Sequence, residues 1–455
     1  MANYHQKVPE HNDTIVAIST PPGRGGIAIV RLSGPAARSI AEPLLKLRHP
    51  LAPAQARFAE ILDNTGETLD EAVVTFFEKP HSYTSEDIVE IAAHGSPVLL
   101  DHLLRQCLAA GARLAEPGEF TQRAFISGRL DLTQAEAVHN LIEATTLHQV
   151  RVAAQQLGGS LSRQISPIKQ QLTTLIATLE AGIDFAEDDI DTLPAAEIIT
   201  QIQSIQTPLA TLEQTFAYGR ILNTGLTLAI IGRPNVGKSS LFNRLIERDR
   251  AIVTATPGTT RDLVTERVSL EGIPVELIDT AGLRDTTDEV ESIGIAKSRE
   301  AMAEADVVLL VLDATEPIHD ENKATLAALS GRPFLIVINK KDLAPTPTTY
   351  PRPTLETSAL TGAGIAELRQ AILSLLTKET PPAETAILTN LRQQQAVSKA
   401  LTALTQARKA AETAIPHEMI LLDLYESLQS LDTLTGTTTA DDILNLIFSK
   451  FCIGK

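Results

Sequence analysis

The chain has 455 residues, 43% of them apolar, and no uninterrupted apolar run approaches the roughly 18 residues needed to cross a bilayer. A formal net charge of −17 excludes a broad basic surface that coats nucleic acid, leaving room for a local basic groove or for contact shared with a partner. The opening MANYHQKVPEHND has no apolar signal core, and the two cysteines lie too far apart for a disulfide framework or zinc-ligand spacing, so a cytoplasmic protein of about three domains is expected.

In chain order, DTIVAIST and GIAIVRLSG read as strands around PPGRGG, with EAVVTFF and DIVEIAAHG as two more and a helix over 96–110 between strand-like pieces. Residues 1–127 are therefore expected to form an α+β domain. PPGRGG lacks the lysine and hydroxyl of a phosphate loop and reads as a tight hairpin. From Asp131 the pattern turns helical. Thr133 and Glu136 have capping-box spacing, and Ala135, Val138, Leu141 and Ile142 recur at helical intervals until Gly158-Gly159 ends the run. Further helices are expected over 166–185 and 195–218, and after the proline-rich junction at 379–383 over 391–415, 418–431 and 440–451. Helical sequence on both sides of the centre predicts a domain at 223–378 inserted into a helical domain made of 128–222 and 379–455.

The centre carries the chemistry. GRPNVGKSS at 232–240 follows an apolar stretch and opens a helix, which is the context of a P-loop. Gly232 and Gly237 let backbone amides wrap phosphates, Lys238 reaches the outer phosphates, and the Ser239 hydroxyl is placed for Mg2+. The segment TATPGTTRD at 254–262 is rich in hydroxyls, with Thr260 the candidate to close on Mg2+ and the terminal phosphate. DTAG at 279–282 ends another apolar strand, putting the Asp279 carboxylate near the Mg2+ shell and the Gly282 amide near a terminal phosphate. NKKD at 339–342 follows the apolar run 334–338. A carboxylate at Asp342 accepts from both the ring N–H and the amino group of guanine, a donor pair that adenine lacks. Ser358, Ala359 and Leu360 supply a small loop suited to the guanine carbonyl. The nucleotide is therefore expected among Asn235, Val236, Gly237, Lys238, Ser239 and Ser240, then Thr254, Ala255, Thr256, Pro257, Gly258, Thr259 and Thr260. Asp279, Thr280, Ala281, Gly282, Asn339, Lys340, Asp342, Ser358, Ala359 and Leu360 complete the set. Leu283 stands where Ras-like enzymes keep a water-orienting glutamine, so another group must orient the attacking water, and the acidic stretch 285–291 is the nearest source.

GRPNVGKSS, TPGTTRD, DTAGLR with downstream VESIGIA, NKKD, the N-terminal TIVAISTPPGRGGIAIVRLSG and the terminal FCIGK together resemble the tRNA modification GTPase family MnmE, also called TrmE, over the whole chain. The resemblance implies a multidomain α/β protein: an N-terminal folate-binding-like module that forms a constitutive dimer, a helical domain, and an inserted Ras-like GTPase domain with a mixed sheet. It implies activation by K+ held by Asn235, Thr254, Thr256 and Thr259, with Glu291 orienting the water beside Lys238 and Asp279. It also implies contacts from Arg31, Glu90, Arg129 and Lys455 to a formyl-tetrahydrofolate. The expected partner is a flavoprotein resembling MnmG that holds FAD and NADH, in a heterotetrameric or larger complex. The expected reaction adds an aminomethyl or carboxymethylaminomethyl group to carbon five of a wobble uridine.

Two other readings stay open beside this one: a regulatory GTPase of ribosome assembly, and a folate-dependent methyltransferase-like enzyme with a regulatory GTPase domain. Cys107 reads as a packed core thiol. For Cys452 a buried thiol on the last helix is the plainer reading, since a nucleophile needs a neighbouring cation, for which Lys455 is the candidate.

Overall fold

The computed structural model describes residues 12–184, 193–246, 264–279, 305–343, 353–376, 386–413, 415–437, 444, 447–449 and 451–454. The chain divides into two compact units, one of Met1–His139, Leu157–Ser162 and Leu431–Lys455, the other of Asn140–Gln156 and Arg163–Ser430.

The first unit is built on a seven-stranded sheet. Its strands are β1 (Ile15–Ile18), β2 (Gly25–Ser33), β3 (Leu45–Leu47), β4 (Ala56–Leu62), β5 (Thr68–Phe77), β6 (Ile88–Gly95) and β7 (Arg113–Leu114), in the order β3-β4-β5-β6-β2-β1-β7. Period-two alternation buries Ala59, Ile61, Val74, Phe76, Ile91, Val30 and Leu32 on one face. Helix α1 (Ala37–Ala41) and Leu100, Leu103 and Cys107 of helix α2 (Pro97–Ala109) join the same core. Cys107 is thus the packed thiol expected, its pKa pushed up to about 12 by burial. On the opposite face the register aligns Phe58, Val73, Ala92 and Ile29 in one row across four strands, and Phe58 and Val73 are exposed. The β1–β2 connection is a hairpin but not a tight one, because β2 runs on past the end of β1 to pair Gly25 with Gly95 of β6.

Helix α3 (Glu119–Ile126) buries Arg123, whose side chain is 1% exposed. Its guanidinium meets Asp13 Oδ1 at 2.8 Å, Glu119 Oε1 at 2.9 Å and Glu86 Oε1 at 3.1 Å. Arg113 adds bonds to Asp13 and Glu119 at 2.8 and 2.6 Å. For both acids burial works upward, yet the two arginines outweigh it and hold the Asp13 and Glu119 carboxyls below the usual range. A depressed folded-state pKa stabilises the fold above the unfolded value, and that stability is lost as pH falls. The urea midpoint of this unit should therefore hold at neutral pH and drop on acidification below about pH 4. An unchanged midpoint down to pH 3 would contradict the assignment.

Helix α4 (Leu132–Glu143) starts on a capping box, but the box is not the one expected. Asp131 Oδ1 accepts from Gln134 N at 2.9 Å and Gln134 Oε1 accepts from Asp131 N at 3.0 Å, while Thr133 and Glu136 are buried inside the helix. The run to Gly158-Gly159 is also broken. Thr146 and Gln149 form a second box, Gln149 N to Thr146 Oγ1 at 3.2 Å and Thr146 N to Gln149 Oε1 at 3.0 Å, and start a new helix α5 (Leu147–Leu157). Helix α6 (Ser160–Asp184) begins directly after the glycines rather than at 166. The expected helix 195–218 divides into α7 (Ala195–Gln214) and α8 (Phe216–Thr224), because the Thr215 hydroxyl donates to Leu212 O at 2.7 Å and accepts from Leu388 N at 3.1 Å.

The second unit holds a six-stranded sheet: β8 (Leu226–Ile231), β9 (Val264–Leu270), β10 (Ile273–Asp279), β11 (Val307–Asp313), β12 (Phe334–Asn339) and β13 (Thr354–Glu356). The order is β13-β12-β11-β8-β10-β9, parallel except for β9 at the edge. Every residue of β11 is buried, as an apolar strand covered on both faces requires. Helices α9 (Lys238–Ile246), α10 (Asp320–Ala328) and α11 (Ile365–Leu376) accompany it. Val152 of α5 and Tyr218, Ile221 and Leu222 of α8 lie in the same buried cluster as Leu228, Leu241 and Val275. Helices α12 (Leu391–Glu412) and α13 (His417–Thr435) follow. Buried Ala400, Ala403 and Ala407 leave α12 a slim face, and Gln206 of α7 bonds Thr405 at 3.0 Å. The fold is multidomain α/β, and among the described residues no helix is long and apolar enough to cross a membrane.

Candidate functional site

Parallel β8, β10, β11 and β12 end on the same side of the sheet, and their C-terminal ends carry the motifs. The register sets Asp279 opposite Ile230, one residue from the end of β8, so DTAG starts beside the P-loop. Across the sheet it pairs Asp313 with Asn339.

The P-loop turn depends on glycine at two points. Gly232 has φ +151° and a side-chain carbon there would lie 2.3 Å from Val311 O; Gly237 has φ +92° and would place one 2.2 Å from Asn339 Nδ2. Only glycine lets the loop pass this close to β11 and to the NKKD segment. Asn235 between them takes φ +64°. Lys238 opens α9, and its buried ammonium donates to Gly232 O and Arg233 O, both at 2.8 Å. The charge is curled over the loop it serves, where a phosphate oxygen would compete for the same donors. Ser239 and Ser240 are exposed on the first turn of α9.

The NKKD residues are locked to that loop. Asn339 is buried, donates from Nδ2 to Val236 O at 3.0 Å and accepts on Oδ1 from Ala359 N at 3.0 Å. One asparagine thereby ties the P-loop to the Ser358–Ala359–Leu360 loop. Ser358 is buried with its Oγ accepting from Thr361 N at 3.1 Å, and Leu360 is exposed. Lys340 donates to Asn235 O at 2.6 Å and to Asp313 Oδ2 at 2.7 Å. Burial tends to raise the Asp313 pKa, but Lys340 and Thr315 outweigh it and hold the carboxyl below its ordinary value. Asp342 stands exposed on the short turn Lys341–Leu343, its carboxylate unbonded among the described residues. Two contributors escaped sequence reading. Asp313, the acid ending an apolar strand, had a visible signal; Arg244, which donates to Ala359 O at 3.0 Å and Leu360 O at 2.7 Å, had none. Thr254, Ala255, Thr256, Pro257, Gly258, Thr259, Thr260, Thr280, Ala281, Gly282, Leu283, Glu291, Lys455 and the side chain of Asp279 lie outside the described residues.

The first unit gathers a second group. Arg31 of β2 and Glu90 of β6 are cross-strand partners bonded at 2.7 Å. Arg31 also donates to Gly454 O at 3.3 Å and lies over the rings of Phe120 and Tyr83, 5.6 and 6.0 Å from their centres. Arg129 approaches Tyr83 at 6.0 Å while staying exposed. Residues distant in sequence thus converge at the chain's C-terminal segment, which pairs Ile453 with Pro117. Cys452 corrects its expectation: it is exposed and past the last helix, because its backbone is drawn out to meet Gly118 N at 3.4 Å.

Family models describe residues 14–129 as "GTP-binding protein TrmE N-terminus" and 132–452 as "MnmE helical domain". A "tRNA modification GTPase MnmE" of Koribacter versatilis (strain Ellin345) is 59% identical over 98% of this chain and 99% of its own. Proteins of the same description from Levilactobacillus brevis (41%, covering 97% of this chain and 98% of their own) and Aquifex aeolicus (42%, covering 97% and 100%) agree. Phosphate loop, NKKD segment and whole-length identity lead to one conclusion: the chain belongs to the MnmE (TrmE) family of tRNA modification GTPases and is a GTP hydrolase.

Proposed function

We propose that this GTPase works with a flavin-dependent partner resembling MnmG to add an aminomethyl or carboxymethylaminomethyl group to carbon five of the wobble uridine of certain tRNAs. The observation that carries this reading beyond GTP hydrolysis is the convergence of Arg31, Glu90 and Arg129 around Tyr83 at the chain's C-terminal segment. Glu90 neutralises only one of the two guanidiniums, so the site keeps a positive excess beside two aromatic rings, which suits an anionic, flat, heteroaromatic ligand. A tetrahydrofolate derivative has that chemistry, and when bound it supplies a one-carbon unit. Arg31, Glu90, Arg129 and Lys455 would hold it. FAD and NADH belong to the partner, which would also take most of the tRNA contact from a chain of net charge −17.

In this reading 1–127 is the folate-binding and dimerising domain, 128–222 with 379–455 the helical domain, and 223–378 the GTPase. The exposed row through Phe58 and Val73 supports pairing of two copies. At the nucleotide, the exposed Ser239 hydroxyl fits Mg2+, with Thr260 the second ligand. The Asn235 side chain, exposed on its left-handed residue, offers an uncharged oxygen suited to K+, with Thr254, Thr256 and Thr259. K+ when bound offsets negative charge on the phosphates. Asp342 reads guanine, Lys238 holds the outer phosphates, and Glu291 orients the water that Leu283 cannot.

Titration calorimetry of the full chain with formyl-tetrahydrofolate tests the folate site. Saturable binding is expected, weakened about tenfold or more in Arg31→Ala, because losing a charged hydrogen bond costs roughly 1.5–3 kcal/mol. No binding by the unaltered chain would overturn this reading.

A further inference from the structure

Strands β9 and β10 form a hairpin whose two ends have different neighbours. At one end the ladder pairs Val264 with Asp279, so the hairpin delivers both the segment after TPGTTRD and the aspartate of DTAG. At the other end Leu270 pairs with Ile273 across Glu271 and Gly272, whose φ values of +50° and +86° make a two-residue turn of fixed shape. The ladder runs unbroken between these ends, a stiff ribbon of roughly 20 Å at about 3.3 Å per residue.

The turn is held from outside the sheet. Thr146, the residue that caps α5, accepts from Gln149 N and donates its hydroxyl proton to Gly272 O at 2.7 Å. His148 packs so closely that a side-chain carbon on Gly272 would sit 2.7 Å from its Cβ. The imidazole is fixed by a 2.8 Å bond between Nε2 and the Tyr218 hydroxyl, and burial, then Arg151, keeps its pKa below the ordinary value. Gln149 Nε2 bonds Leu222 O at 2.9 Å, near the end of α8, three residues before Gly225 and four before β8 begins its path to the P-loop. The start of α5 therefore grips both routes into the nucleotide site at the end of the sheet remote from it.

We propose that Thr146 and His148 are positioning residues for GTP hydrolysis, clamping the Glu271–Gly272 turn so that the β9–β10 ribbon holds Asp279 in place and relays the nucleotide state back to α5. Coupling of this kind is reciprocal: what the nucleotide does to the ribbon must reach α5, and what α5 does to the ribbon must reach the nucleotide. The contact of Val152 in the shared core is apolar and would tolerate sliding; this one is directional.

The test uses the full chain and two separate variants. Thr146→Asp keeps the acceptor that caps α5 but, when ionised, has no proton for Gly272 O; His148→Ala removes the packing. Hydrogen exchange over 144–157 is compared between GDP and a non-hydrolysable GTP analogue, alongside kcat and KM for GTP. In the unaltered chain the analogue is expected to change exchange over 144–157. In either variant that difference should shrink at least threefold and kcat should fall about tenfold, as a small displacement of a catalytic carboxylate does. KM should stay within twofold, because Asn339, Lys340 and the P-loop sit on other strands. Thr146→Ser should restore both readouts. Exchange over 144–157 that is blind to the nucleotide in the unaltered chain, or a difference and a kcat that survive both variants, would overturn the proposal. So would a joint fall of kcat, thermal midpoint and GTP affinity, which would mark the contact as packing alone.

Discussion

Asp342→Asn is expected to weaken GTP binding roughly a thousandfold and to turn the site toward xanthosine triphosphate. The carboxylate would accept two hydrogen bonds from guanine, and the amide, with one acceptor and one donor, leaves a guanine donor facing a donor. Xanthine carries a carbonyl where guanine has its amino group, so the same amide then pairs in full. The substitution is surgical because the loop does not depend on this side chain: Asn339 and Lys340 tie it to Val236 O, Asn235 O and Asp313, while Asp342 is exposed. Titration with fluorescent GDP and xanthosine diphosphate reads the exchange of preference. GTP affinity within tenfold of the unaltered chain would show that another group reads the base.

Arg123→Met should cost the N-terminal unit about 3–5 kcal/mol, the range for removing one partner of a buried ion network. Methionine fills much of the volume, but Asp13, Glu86 and Glu119 would be left converging on an apolar side chain. Arg113 could compensate only two of the three, since it reaches Asp13 and Glu119 but not Glu86. Glu86 in turn accepts from Ser33 at 2.7 Å and closes the loop that carries Tyr83, so the proposed folate binding should weaken with stability. Denaturant titration read by exchange protection in β2 and β6 measures this. A loss below about 1 kcal/mol would mean that the carboxylates rehydrate freely.

What could be read from the chain alone follows from what each feature demands of its neighbours in sequence. Phosphate and guanine recognition need contiguous residues at set spacing after apolar strands, so Lys238, Asn339 and Asp342 stand out with no fold in hand. The N-terminal strands were legible where alternation ran long, as in β2 and β6. It failed for β3 and β7, which are too short, and for β4, where glutamate and arginine interrupt the apolar positions. The Arg123 network was invisible because its members at 13, 86, 113, 119 and 123 look like ordinary surface charges until the sheet closes. Helix boundaries slipped for a related reason. Asp131/Gln134 and Thr133/Glu136 both satisfy capping spacing, and apolar periodicity continues across 144–146, so only the structure reveals that Thr146 stops one helix to start another. Arg31 and Glu90 came from family resemblance; 59 residues apart, they meet only through the β2–β6 register.

If this GTPase site drives modification of a tRNA wobble uridine, as proposed, mass spectrometry of tRNA nucleosides from cells with and without the protein will register it. The modified uridine is expected to be lost in its absence and to be restored by the intact chain but not by Asp279→Ala. Unchanged nucleosides in its absence, or full restoration by Asp279→Ala, would contradict the proposal.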